Sequence, residues 1–188
     1  PTGQHVELVY NGVHVGNYYL CEQIKIDGNR LDINEPLDEE DNPYTGDPSV
    51  FGYLLETDDG YDEAWQFTTA CYVPFLFKDD ANDEMLSYAA SFVRGIEDNL
   101  YAGNYSAAYA NMDLNSFVDF WLIQELMMNS ETAHPKSCYH YINNGKLYAG
   151  PVWDFDWNTL PVSTSYSENG YSYTESMLKD AVSSKSWC

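Results

Sequence analysis

Apolar and polar residues alternate along His5–Tyr10, and Asn11-Gly12 then gives a strong two-residue turn signal before alternation resumes at Val13. The pattern predicts a hairpin whose second strand runs on to Ile26 and closes at Asp27-Gly28-Asn29. A period of two places Tyr18, Leu20, Glu22, Ile24 and Ile26 on one face, with Tyr19, Cys21, Gln23 and Lys25 on the other. Glu22 thus falls on a face that otherwise reads as core. It is either a buried carboxylate that requires a cationic partner or an edge residue near solvent.

Residues 38–47 are acidic, carry Pro43 and read as an exposed loop. Phe51–Thr57 is the next strand, and Asp58–Glu63 is an acidic turn whose default reading is solvation. Trp65–Phe77 predicts one or two short strands broken at Pro74. The period then changes. Asn82-Asp83-Glu84 is a helix start, followed by Met85, Ala89, Phe92, Val93, Ile96 and Leu100 at helical spacing. A second helix is capped by Asp113, and Leu114, Phe117, Val118, Trp121, Leu122 and Leu126 form its packing stripe. A polar loop over residues 129–137 leads into a hairpin, Cys138–Ile142 and Lys146–Tyr148, around Asn143-Asn144-Gly145. The order is α+β: antiparallel strands in the N-terminal half, then helices and a hairpin.

Composition narrows the partners. Thirty Asp and Glu against eight Lys and Arg give a net charge of −22, which repels nucleic acid and anionic membranes. No apolar run approaches the roughly 20 residues that span a bilayer. The four cysteines, Cys21, Cys71, Cys138 and Cys188, include no C-x-x-C pair, so zinc-type spacing is absent and three disulfide pairings stay open. Hydrophobic residues make up 44% of the chain, enough for one substantial core. No secretory leader is visible; the sequence reads as a mature chain with its export signal removed.

The candidate chemistry lies in Gly150-Pro151-Val152-Trp153-Asp154-Phe155-Asp156-Trp157-Asn158. In extended backbone Asp154 and Asp156 share a face, where two like charges need a cation or hydrogen-bond donors. A divalent, oxygen-preferring ion such as Mg²⁺ meets that need, and Asn158 extends the ligand row. An Asp-rich turn whose side chains cap backbone amides meets it equally well. The hairpin brings the polar loop and the aspartates to the same end. His134 is read as a loop residue, and no phosphate-cradling glycine motif or nucleophile elbow is present.

The run Asn129 … His134-Pro135-Lys136-Ser137 … Tyr139-His140-Tyr141 … Gly150–Trp157 resembles the CotH family of spore-coat-type atypical protein kinases. The likeness is strongest to secreted and surface bacterial versions. Asn11-Gly12 … Gly16-Asn17-Tyr18-Tyr19-Leu20-Cys21-Glu22 and Phe51–Glu56 match two further family segments, so the likeness spans nearly all of residues 5–160. It implies an atypical protein-kinase-like α+β fold that uses ATP with Mg²⁺ or Mn²⁺ to phosphorylate Ser or Thr on protein partners, outside the cell or at its surface. By the same likeness Asp154 holds metal, with Asp156 as a neighbouring ligand. Glu131 is the base or a metal ligand, standing where the family usually has Asp. Lys136 and Asn129 contact metal or phosphate, and Glu22 and Glu56 border the nucleotide. Family members carry a further nucleotide-contacting segment ahead of the first hairpin, so the resemblance implies a single domain over 1–188 without that segment. Two other readings accompany it: a non-catalytic module that binds carbohydrate or protein, suggested by the Tyr and Trp load, and a calcium-stabilised adhesion domain.

Overall fold

The computed structural model describes residues 3–58, 63–127, 129 and 136–155. Strands β1 (Gly3–Tyr10) and β2 (Val13–Cys21) form a two-stranded antiparallel ribbon. Its turn is as the sequence predicts: Asn11 and Gly12 both have positive φ, 50° and 78°, the pair a tight hairpin with right-handed twist requires. A register shift between Leu8 and Val9 bends the ribbon.

A five-stranded antiparallel sheet carries the core. It comprises β3 (Tyr53–Thr57), β4 (Gln66–Thr68), β5 (Pro74–Phe77), β6 (Cys138–Asn143) and β7 (Lys146–Ala149), in the order β4-β5-β3-β6-β7. Central β3 is buried along its whole length. Pro74 is tolerated because it opens its strand, where it interrupts no interior ladder bond.

Three helices separate β5 from β6: α1 (Asp83–Tyr101), α2 (Tyr105–Ala110) and α3 (Leu114–Met127). Asn82 caps α1 by accepting from the amides of Glu84 at 3.1 Å and Met85 at 3.0 Å. Asp113 accepts from the Ser116 amide at 2.9 Å, as expected for the cap of α3. The α1 residues Met85, Ala89, Val93 and Ile96 pack with Tyr53, Leu55, Phe75, Ile142 and Leu147 of the sheet. The architecture is thus α+β, in the predicted order.

Three expectations are corrected. The second ribbon strand stops at Cys21, not Ile26: Cys21 pairs with Gly3, the first residue of β1, so β1 offers no described partner beyond it, and Ile26 makes only an isolated parallel bridge to Leu31. The ribbon also lies off the core, so its faces are largely open to solvent among the described residues. On α3, only Phe120 and Gln124 of the helix are buried; Val118, Trp121, Leu122 and Leu126 are exposed among the described residues. The apolar residues of α3 ring the helix instead of forming one stripe, so one sheet cannot cover them all.

A long segment, residues 22–50, crosses from the ribbon to β3. The Gly52 amide donates to the Asn34 carbonyl at 2.7 Å, and a Cβ on Gly52 would stand 2.8 Å from Ile33 Cδ1. The close approach needs glycine. The Asn34 amide group reaches Val50 and Asn144, which ties this segment to the far end of the β6–β7 hairpin.

Candidate active site

The site end of the sheet is set by strand register. Thr57 of β3 pairs with Cys138 of β6, and His140 pairs with Ala149 of β7. The Gly150 amide then donates to the Tyr139 carbonyl at 2.8 Å, so β3 exits, β6 enters and β7 exits side by side. The hairpin turn that makes this possible again uses two positive-φ residues, Asn144 and Gly145. The structure therefore places Lys136, Asp58 and the Gly150–Phe155 run at one end of the sheet, as the order of elements implies.

Asp154 is exposed and has a left-handed backbone, φ 54°. A non-glycine residue there costs conformational energy, which Asp and Asn bear best because their short polar side chains bond locally. Glu131, Asp156, Asn158 and His134 lie outside the described residues. Among the described residues, no group of three or more His, Cys, Asp and Glu is placed to hold a metal ion.

The remaining sequence-predicted residues have definite places. Asn129 is buried, and its amide donates to the Gln124 carbonyl at 3.1 Å just past α3. The Lys136 ammonium stands 3.6 Å from buried Asp58. Glu22 is half-buried just beyond the end of β2, on the wall of a groove of about 180 Å³ shared with Lys25, Arg30 and Pro151.

Glu56 is buried on β3, and its carboxylate receives the Lys78 ammonium at 2.7 Å; Lys78 also reaches Glu63 at 3.4 Å. Burial by itself lowers the Lys78 pKa. The hydrogen bond and charge of Glu56 outweigh it and hold the ammonium above its ordinary value. The sequence reading did not find this lysine, because it lies just past β5 and reaches Glu56 only through strand pairing. Lys78→Ala strands a buried carboxylate and is expected to cost about 3 kcal/mol, read as a lower urea midpoint. The double variant Glu56→Leu/Lys78→Met recovers most of it. An unchanged midpoint in Lys78→Ala would show the pair to be energetically neutral.

His140 is fully buried in the core, ringed by Phe75, Phe117 and Phe120 at centroid distances of 5.7, 6.3 and 6.1 Å. It takes no part in the exposed end of the site. Burial lowers its pKa to about 4, opposed in part by the Cys138 backbone, which neither ring nitrogen meets with full hydrogen-bond geometry.

The family model described as CotH kinase protein matches residues 1–183. No curated protein and no solved structure matches the chain. Among the described residues, no helix is long and apolar enough to cross a membrane.

Proposed function

The chain belongs to the CotH kinase protein family, and from that premise we propose that it is an ATP- and divalent-metal-dependent phosphotransferase acting on Ser or Thr of protein partners, outside the cell or at its surface. The observation that carries this reading is Asp154: an exposed carboxylate in a left-handed turn, just past β7 at the end of the sheet where Lys136 and Asp58 also gather.

The donor chemistry suits Mg²⁺ or Mn²⁺, which take hard oxygen ligands and often need only one or two protein carboxylates beside substrate phosphates. Asp154 would hold the ion, with Asp156 and Asn158 as further proposed oxygen ligands; the left-handed backbone at Asp154 breaks the extended alternation that the sequence reading assumed there. A bound divalent ion supplies charge neutralisation to a phosphoryl group in transfer. In a chain of net charge −22, that neutralisation also offsets repulsion between protein and nucleotide. Glu131 is the proposed base for the acceptor hydroxyl. Lys136 and Asn129 are the proposed metal or phosphate contacts; Lys136 is held near Asp58, and the Asn129 amide is fixed on the Gln124 carbonyl.

Mg²⁺ with ATP at about a hundredfold over Kd is expected to raise the melting temperature by about 5–10 °C, and chelation to cancel the rise. Absence of any metal-dependent shift by ATP would refute the catalytic reading. Exposed Tyr10, Tyr18 and Tyr19 on the ribbon favour the second reading, a carbohydrate- or protein-binding module. Under it, nucleotide leaves the melting temperature unchanged while a glycan or protein ligand moves it.

A further inference from the structure

Six of the eight Lys and Arg residues lie among the described residues, and most are committed. Lys25 pairs with Asp27 at 3.1 Å, Lys78 with Glu56, and Lys136 with Asp58. The Arg94 guanidinium donates to the Thr68 carbonyl at 2.8 Å. Two remain. Lys146 opens β7 beside the hairpin turn, at the opposite end of the sheet from Asp154. Arg30 is the other. Its exposed guanidinium makes no hydrogen bond or ion pair among the described residues and has only a weak attraction to Asp27.

Arg30 stands between two recesses. The smaller, about 180 Å³, is lined by Glu22, Lys25, Asn29 and Pro151 as well as Arg30. The larger, about 520 Å³, lies against the base of the ribbon and is lined by Gly3, Gln4, Leu20 and Cys21, again with Glu22 and Arg30. The larger volume falls in the range of small-molecule sites, roughly 300–1,000 Å³. Pro151 lies three residues before Asp154, and three residues reach at most about 11 Å. The guanidinium, the two recesses and the proposed metal-holding carboxylate therefore stand within one ligand's length of each other.

Among the described residues no carboxylate forms an ion pair with the Arg30 guanidinium. Its fork of donors matches phosphate oxygens in two-point contact, which an ammonium cannot reproduce. We infer that Arg30 is the polyphosphate-contacting residue of the nucleotide site, with the smaller recess taking phosphate groups beside Pro151 and the larger one taking the nucleoside end. The inference rests on the phosphotransferase reading above, and adds to it a residue from the segment between β2 and β3. Lys25 supports the same recess with its positive charge while staying paired to Asp27.

The test measures binding of Mg²⁺-ATP and of inorganic tripolyphosphate to the 188-residue chain by calorimetry. Arg30→Gln is expected to weaken both by about 10- to 100-fold, the loss of a charge-assisted two-point contact. Arg30→Lys keeps the charge without the fork and is expected to fall between. Lys146→Gln, the equally uncommitted cation at the far end, is expected to change neither by more than about twofold. Because Arg30 is exposed, its variants should melt as the wild type does without ligand. Wild-type ATP binding that Arg30→Gln leaves intact overturns the inference and spares the phosphotransferase reading. Arg30-dependent binding of tripolyphosphate without ATP binding overturns the nucleotide assignment and that reading together. Binding of neither probe overturns both.

Discussion

Asp154→Asn is expected to lower phosphate transfer by about a thousandfold and to abolish the thermal shift by Mg²⁺ with ATP. Asparagine is the informative substitution. It tolerates the left-handed backbone at φ 54° that alanine would strain, and it removes only the negative charge. Stabilising a transferring phosphoryl group through a bound ion accounts for several kcal/mol, and each factor of ten corresponds to about 1.4 kcal/mol. The ligand-free melting temperature should stay within about a degree of wild type, since the side chain is exposed. Transfer is read by mass spectrometry on a Ser- and Thr-bearing acceptor protein. Undiminished transfer in Asp154→Asn would remove this residue from the site.

The second large effect lies in the core. His140 is buried without full hydrogen bonds, and its pKa in the folded chain is about 4, against an ordinary value of 6.5. The unfolded chain therefore takes up a proton as pH falls through about 6.5, while the folded chain resists until about 4. Between those values the unfolded state binds more protons, so stability falls with falling pH. The full loss is on the order of 3 kcal/mol, present below about pH 4 and absent above about pH 6.5. His140→Met, close in volume and favourable against the surrounding Phe rings, should remove this component while leaving the contribution of the carboxylates. Urea melts of both proteins at pH 7.5 and pH 4.5 measure it. Equal acid losses in the two would show that His140 does not titrate in this range.

Much of the fold is legible because its determinants are local. Asn11-Gly12 and Asn144-Gly145 need only their own backbone preferences to form tight turns, and both do. Asn82 and Asp113 cap their helices through amides two or three residues away, so the starts of α1 and α3 follow from short-range chemistry. The shared end for Lys136 and the Asp154 run also follows, since any hairpin returns its two outer ends together. The short helix α2 carried no capping signal strong enough to be read; Asn104 gives it no side-chain cap bond.

What the sequence determined by itself is the order of elements, the kinship with CotH kinases and the presence of Asp154 in an aromatic, acidic run. What only the tertiary structure decided is which faces are covered and which charges are matched. Alternation in β2 predicts two faces but not whether either meets a core, and here neither is covered by described residues as the core strands are. The helical spacing of α3 likewise does not say how much of its apolar surface a neighbour reaches. The Lys78–Glu56 and Lys136–Asp58 pairs, and the absence of one at Arg30 among the described residues, depend on strands and loops far apart in sequence. Burial and ion pairing are relations between segments, so they exist only once the chain has folded.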